Sequence, residues 1–113
     1  MNLPNAQLAV VEGEKIMDYL LNPHHRFGAS KARFFHRHGF RVGNWERLAQ
    51  ALLDHGKRHR VSQMKETAYG IRYQIDGELH AISGVSPRIR TVWQLDRGRL
   101  APRLITAYPL GKS

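Results

Sequence analysis

The fold is decided by the segment YGIRYQI at residues 69–75 and by two later segments of the same pattern, RIRTVWQL at 88–95 and RLITAY at 103–108. In each segment apolar and polar residues alternate, as they do in a β-strand that buries one face. Residues 61–67 show a weaker form of the pattern. The sequence therefore predicts four consecutive strands.

Two short turn signals join the later strands. Asp76-Gly77 is typical of a hairpin turn, and Asp96-Arg97-Gly98 predicts a second turn. Sequential strands with short connections pair with their neighbours, so we expect an antiparallel meander.

The N-terminal half predicts three helices. The first covers residues 12–21 and ends before Pro23; the second begins at Ala29 or Ser30 and ends at Gly39. The third follows Asn44, which can cap it, carries an apolar face at helical spacing, and frays near Gly56. The prediction is a single α+β domain over residues 1–113. Three N-terminal helices (residues 1–58) pack on one face of a four-stranded antiparallel meander sheet (residues 59–110).

Strand alternation also predicts the two faces of this sheet. The core face is expected to carry nine residues: Ile71, Tyr73, Ile75, Ile89, Thr91, Trp93, Leu95, Ile105 and Ala107. The opposite face is expected to carry mainly polar residues, with two apolar ones among them: Arg72, Gln74, Arg88, Arg90, Val92, Leu104, Thr106 and Tyr108. Because adjacent strands lie about 5 Å apart, these arginines and hydroxyl groups can gather into a cradle for a phosphate.

The charge of the chain is strongly positive, with 18 Lys and Arg against 9 Asp and Glu, a net charge of +9. Residues 24–60 alone carry nine basic and two acidic residues and six of the seven histidines. Most of the basic residues are arginines, whose guanidinium groups bind phosphate with two hydrogen bonds. A polyanion, most commonly nucleic acid, is the expected partner. The alternative is that these charges only keep the surface soluble.

The composition excludes several classes of protein. The absence of cysteine excludes a disulfide scaffold, a thiolate zinc site and a cysteine nucleophile. No signal peptide or membrane span is apparent, so we expect a cytoplasmic protein with no membrane partner. His55 and His59 have a spacing that can bind a metal, but no further ligand completes a site. We therefore expect no metal and no cofactor. A homodimer is a candidate assembly, because a domain of this size is only marginally stabilised by its own core.

Several sequence blocks carry a resemblance to a known family. They are LPNA at residues 3–6, LNPHH at 21–25, Gly28 with KARFF at 31–35, YGIRY at 69–73, RTVW at 90–93 and PRLITAYP at 102–109. In this order the blocks resemble an uncharacterised family of small bacterial domains. Those domains occur alone and as C-terminal domains of polymorphic toxins.

A second resemblance concerns function. Helices followed by a meander that ends in Thr106-Ala107-Tyr108-Pro109 look similar to the barnase–EndoU–colicin–RelE group of ribonuclease toxins. The resemblance implies an active site on the exposed face of the sheet, built from His, Lys, Arg, Thr and Tyr. It also implies an acidic antitoxin or immunity protein as a partner.

The expected activity is therefore a metal-independent endoribonuclease that acts on RNA. His25 is the candidate acid or base, ahead of His24, and Lys31 is the candidate phosphate clamp near a helix N-terminus. The remaining catalytic candidates would hold or orient the phosphate: Arg72, Arg90, Thr106 and Tyr108. Further RNA contacts are expected from Arg26, Arg33, Arg88 and Arg103. Two alternatives stay open, a non-catalytic nucleic-acid-binding module and a basic interaction domain for an acidic protein.

Overall fold

The computed structural model describes residues 1–111. Its first helix, α1, begins with an α-helical turn and continues as a π-helical turn, and two regular α-helices follow. Their bounds are Gly13–Lys15 with Ile16–Leu20 for α1, Ala29–Arg37 for α2 and Trp45–Arg58 for α3. All three predicted helices are present.

Helix α3 differs from its prediction at both ends. Asn44 is its N-cap residue, but the Asn44 side chain makes no cap hydrogen bond to the helix. Its amide oxygen instead accepts from the backbone N–H of Arg41 at 2.7 Å. The helix also continues through Gly56 to Arg58, because Gly56 is buried against the indole of Trp93. The expected fraying at Gly56 is therefore wrong.

Four strands form one antiparallel sheet in the order β1-β2-β3-β4. Their bounds are Val61–Thr67 for β1, Gly70–Glu78 for β2, Arg88–Asp96 for β3 and Arg103–Pro109 for β4. The α+β class and the antiparallel meander are confirmed.

The inner face of the sheet belongs to the hydrophobic core. One cluster of buried apolar side chains combines residues from all three helices with the inner face, including Ile16, Phe35, Leu52, Ile89 and Trp93. The finer prediction, that all three helices pack on this one face, stays a prediction.

Asp76-Gly77 is not a turn, which corrects the sequence prediction. Both residues lie inside β2, where Asp76 pairs with Arg90 and Gly77 pairs with Ile89. A Cβ at Gly77 would lie 2.4 Å from the His59 ring. The glycine therefore permits a close approach of the His59 side chain, and residues 79–87 form the actual connection to β3. The predicted turn at Asp96-Arg97-Gly98 is present, with the N–H of Arg99 donating to the carbonyl of Asp96 at 2.9 Å.

A β-bulge in β4 corrects the predicted faces of that strand. Thr106 pairs with Val92 and Leu104 pairs with Trp93, so Ile105 is an extra residue. A bulge shifts the alternation by one residue. Leu104 is consequently buried in the core, with 1% of its surface exposed, whereas Ile105 is half-buried. The expected placement of these two residues is reversed.

The two edges of the sheet are unlike. Val10 forms a parallel bridge with Arg103 and so covers the β4 edge, and the N–H of Leu104 donates to the Val10 carbonyl at 3.0 Å. Within residues 1–111, no strand covers the outer edge of β1. In the same described range, every helix is too short or too polar to cross a membrane.

Candidate active site

The outer face of the sheet, opposite the core, carries most of the predicted site. Strand register places Asp76, Arg90 and Tyr108 side by side across β2, β3 and β4. The adjacent row contains Val92 and Thr106. This arrangement follows from alternation along β2 and β3 and from the bulge in β4. Leu104 faces the core, and the extra residue Ile105 allows Thr106 and Tyr108 to face outward.

Arg90 is held in place by Asp76. Its Nε and Nη2 atoms donate to the two carboxylate oxygens of Asp76 at 2.7 and 3.0 Å. This bidentate hydrogen bond holds the pKa of Asp76 below its usual value and raises the pKa of Arg90. The guanidinium carbon of Arg90 lies 6.0 Å from the centre of the Tyr108 ring. Arg90 is therefore a fixed cation beside a tyrosine.

Tyr19 of α1 joins the site from outside the sheet. Its hydroxyl lies 3.0 Å from Oγ1 of Thr106. Nζ of Lys31 is 5.5 Å from the centre of the Tyr19 ring and 6.0 Å from that of Tyr108. Lys31 thus lies between two tyrosines. We call these residues the cation–hydroxyl cluster: Tyr19, Lys31, Arg90, Thr106 and Tyr108.

His25 borders this cluster on the loop before α2. Its ring centre is 4.9 Å from that of Tyr19, in an edge-on arrangement. Nδ1 of His25 accepts hydrogen bonds from the backbone N–H groups of Phe27 and Gly28 at 3.0 and 3.1 Å. A ring nitrogen that accepts cannot carry a proton, so the neutral ring is protonated on Nε2. As placed, His25 can donate a hydrogen bond through Nε2, whereas proton uptake at Nε2 requires release of Nδ1 from the loop.

The loop is pressed against Tyr19. A Cβ at Gly28 would lie 2.4 Å from the Tyr19 carbonyl oxygen and 2.9 Å from its ring. Only glycine permits this approach. Nζ of Lys31 donates to the carbonyl of Phe27 at 3.1 Å, which ties the first turn of α2 back to the same loop.

Two cavities adjoin the cluster. One, of about 430 Å³, is lined by Lys15, Tyr19, His25, Phe27, Ile105 and Thr106. The other, of about 350 Å³, shares part of this lining but adds three carboxylates, from Glu12, Glu14 and Asp18.

The structure does not bring every predicted residue to the cluster. Arg72 pairs with Gln94, four residues along β3 from Arg90, a distance of about 13 Å. Its Nε donates to the Gln94 amide oxygen at 3.2 Å. Nε of Arg103 donates to the carboxylate of Asp96 at 2.8 Å, and this partner raises the pKa of Arg103.

The other predicted RNA contacts are exposed residues. Arg26 lies over the Phe27 ring at 5.3 Å, and Arg88 is opposite Glu78 in the sheet. Arg33 is exposed on α2, two residues from Lys31, and residues with that spacing do not share a helix face. His24, the second histidine of the loop, is exposed and lines neither cavity.

Two residues of the site, Tyr19 and Asp76, are not among those predicted from the sequence. Asp76 lies in a dipeptide typical of a turn, and Tyr19 does not belong to the apolar pattern of α1. A signal for Tyr19 was available, because a glycine at position 28 indicates a close backbone approach and α1 is the preceding element.

The histidines considered for metal binding have other roles. His55 is fully buried, and its two ring nitrogens contact Oγ1 of Thr91 at 3.0 Å and the carbonyl of Gly77 at 3.1 Å. Burial lowers the pKa of His55 to about 4. In the described part of the chain, no three His, Cys, Asp or Glu side chains are grouped to hold a metal ion.

These features define an α+β domain with a cation–hydroxyl cluster on the outer face of its sheet. The family model described as "Domain of unknown function (DUF6883)" matches residues 2–111. The chain belongs to this family, so the prediction of an uncharacterised family is confirmed at that level. No curated protein matches the chain.

One solved structure has the same fold. It is a chain of the contact-dependent growth inhibition toxin–immunity protein complex from Klebsiella pneumoniae 342. The TM-score is 0.72 at 18% identity, and the alignment covers 96% of this chain and 98% of that chain. At this identity the likeness concerns the fold alone.

Proposed function

We propose that this protein is a metal-independent endoribonuclease of the toxin type. The observation that carries the proposal is the cation–hydroxyl cluster. In this cluster Lys31 and Arg90 flank Tyr108, and the hydroxyl of Tyr19 is hydrogen-bonded to that of Thr106. Two fixed cations with three hydroxyl groups can bind a phosphate and stabilise the charge that develops on its oxygens.

RNA supplies its own nucleophile for this reaction. The ribose 2′-oxygen bonds to the neighbouring phosphorus, the bond from phosphorus to the 5′-oxygen breaks, and a proton moves from the 2′-hydroxyl to the departing 5′-oxygen. The products are a 2′,3′-cyclic phosphate and a 5′-hydroxyl. The enzyme must move this proton and stabilise the phosphoryl oxygens, and neither task requires a metal.

Each residue of the cluster has a role in the proposed reaction. Lys31 and Arg90 hold the phosphoryl oxygens, and Asp76 keeps the Arg90 guanidinium oriented. The paired hydroxyls of Tyr19 and Thr106 orient the phosphate. Tyr108, next to Arg90, donates to the leaving oxygen. As placed, His25 donates only a hydrogen bond through Nε2. Once the loop releases Nδ1, Nε2 takes the 2′-hydroxyl proton, and this proton then returns to Tyr108, which gave its own to the 5′-oxygen.

The toxin part of the proposal rests on the structural relative and on charge. The related chain was solved in a complex of a toxin and an immunity protein. A net charge of +9 suits a partner that is acidic. We propose an immunity protein or antitoxin whose carboxylates cover the cation–hydroxyl cluster and exclude RNA.

The test is cleavage of total bacterial RNA in EDTA by the purified protein and by Lys31→Ala and Arg90→Ala. Loss of one group that stabilises transition-state charge lowers the rate by about 100- to 1,000-fold. Matched controls are Lys57→Ala and Arg97→Ala, exposed cations on α3 and in the β3–β4 turn. Intact RNA with the parent protein, or equal rates for all four variants, would contradict the proposal.

A second function is favoured by the state of His25. Because Nδ1 accepts hydrogen bonds from two backbone amides, the neutral ring carries its proton on Nε2. In this state Nε2 cannot take a proton from the 2′-hydroxyl of RNA. A non-catalytic nucleic-acid-binding module would use the same cations without proton transfer. It would bind RNA with an affinity that falls steeply with salt and would leave the RNA intact.

A further inference from the structure

The cavity of about 430 Å³ beside the cluster has an aromatic wall. The rings of Tyr19, His25 and Phe27 follow one another, with centre-to-centre distances of 4.9 and 6.2 Å. Phe27 has 69% of its surface exposed, although it is a large apolar side chain. An exposed aromatic ring beside a phosphate-binding cluster offers a face on which a flat, apolar group can stack.

We infer that this cavity, which we call the Phe27 cavity, is a stacking subsite for one nucleobase of single-stranded RNA. The inference rests on the proposed function, because the subsite is joined to the phosphate cluster. Tyr19 and Thr106 line the Phe27 cavity and are also members of the cluster. A nucleotide whose phosphate lies between Lys31 and Arg90 can therefore place an adjacent base against Phe27.

Charge favours a base over a second phosphate in the Phe27 cavity. The adjoining cavity carries three carboxylates, from Glu12, Glu14 and Asp18, against two cations, Lys15 and Arg103, and Arg103 is already bound to Asp96. These carboxylates repel a phosphate, whereas they can accept hydrogen bonds from the amino groups of a neutral base. Lys15 also lines the Phe27 cavity, with its Nζ 5.4 Å from the centre of the Tyr19 ring, and can contact the sugar–phosphate backbone of a bound nucleotide.

The backbone that carries the aromatic wall is held by hydrogen bonds before any ligand binds. Two amide hydrogen bonds to His25 hold the backbone of Phe27 and Gly28, and Lys31 donates to the carbonyl of Phe27. Less conformational entropy is lost on binding when the receptor is preorganised. The same contacts couple the subsite to the phosphate clamp, because Lys31 touches both.

The experiment uses a short single-stranded RNA with all riboses 2′-O-methylated, so that it cannot be cleaved, and one base replaced by 2-aminopurine. Fluorescence titration in EDTA compares the full-length protein with Phe27→Ala and Phe27→Tyr. Stacking quenches 2-aminopurine. We expect Phe27→Ala to lose the quenching and about 5- to 150-fold in affinity, the range for one base on one aromatic ring. Phe27→Tyr should retain both.

The matched control is Tyr69→Ala, which removes a ring that is 78% exposed in the β1–β2 turn. It should bind as the parent does, and thermal melting of each variant checks the fold. If Phe27→Ala and the parent show equal affinity and equal quenching, the stacking subsite is wrong. In that case the proposed function still stands if the parent cleaves natural RNA. Failure of the parent to bind or cleave any RNA overturns both.

Discussion

The two faces of the sheet each carry a threonine that contacts an aromatic side chain from a helix, but the two arrangements differ in completeness. On the inner face, Nε1 of Trp93 donates to Oγ1 of Thr91, which in turn lies 3.0 Å from Nδ1 of His55. Nε2 of His55 donates to the Gly77 carbonyl, and all of these side-chain atoms are buried. On the outer face, Thr106 contacts Tyr19 and both remain partly exposed.

The difference separates a structural network from the proposed ligand site. The inner hydrogen bonds form a closed chain in which each donor has an acceptor, so nothing remains for a ligand. The outer face holds cations and hydroxyl groups that keep unused hydrogen-bonding capacity toward solvent. Changes to the inner network should therefore alter stability, and changes to the outer cluster should alter RNA cleavage.

The sharpest test of this comparison is the pair Thr91→Val and Thr106→Val. Thr91→Val leaves the buried Trp93 N–H and His55 nitrogen without a partner, at about 1–3 kcal/mol each. We expect a loss of about 4 kcal/mol in the free energy of unfolding, measured by urea denaturation. Thr106→Val should cost about 1 kcal/mol or less and slow RNA cleavage instead. Equal stability losses for the two variants would remove the distinction between the faces.

The next largest effect concerns pH. Burial lowers the pKa of His55 from 6.5 to about 4, so between these values the unfolded chain binds a proton that the folded chain does not. Stability therefore decreases as pH falls from about 6.5 to 4, by about 3 kcal/mol in total. His55→Gln should be less stable near pH 7 and show a much smaller dependence over this window. An unchanged slope of unfolding free energy against pH in His55→Gln would contradict the assignment.

Asp76→Asn tests the ion pair by which β2 holds Arg90 of the cluster, and it should change the free energy of unfolding less than the two changes above. Losing a partly buried, bidentate ion pair should cost about 1–2 kcal/mol at neutral pH. Since the folded pKa of Asp76 is lowered, this contribution is present above its usual pKa and is lost as pH falls through the folded value. RNA cleavage should also decrease because Arg90 is no longer oriented. Asp54→Asn, at an exposed pair with Arg58, is the control and should change neither quantity.

The smallest predicted effect is that of Tyr19→Phe. The variant keeps the ring between Lys15 and Lys31 and removes only the hydroxyl that bonds Thr106. Stability should fall by about 1 kcal/mol or less. RNA cleavage should fall about 10-fold if this hydroxyl orients the phosphate, as a rate assay on a defined oligonucleotide would reveal. A stability loss like that of Thr91→Val would show that Tyr19 belongs to the structural network.

Much of the sheet could be predicted because strand alternation repeats over several residues. Strand β3 was expected at residues 88–95 and extends over Arg88–Asp96. The prediction was wrong where the same residue types are found both in turns and within strands. Gly77 permits the approach of His59, and Asp76 binds Arg90, although the same dipeptide is typical of a turn. The bulge at Ile105 has no sequence signature of its own, so Leu104 was assigned to the wrong face.

The candidate site was predictable in part for the same reason. Arg90, Thr106 and Tyr108 follow from alternation in β3 and β4, and the structure brings Lys31 to them. Arg72 lies on the predicted face but about 13 Å along the sheet from Arg90, because alternation determines the face of a residue and not which residue of the next strand stands opposite it. Tyr19 depends on how α1 crosses the β4 edge, which is a tertiary contact.

The bulge also determines which residue of β4 can be lost without exchanging the two faces of the strand. Leu104 must face the core, and Thr106 must face the cluster, and while Ile105 stands between them only the bulge allows both. Deleting Ile105 would convert the bulge into regular pairing, with Leu104 still facing the core and Thr106 still facing the cluster, whereas deleting Thr106 would remove the hydroxyl. A deletion in the neighbouring turn, at Arg99 or Leu100, leaves this order intact. Among homologous chains, gaps should therefore accumulate in the turn and, within the strand, at position 105.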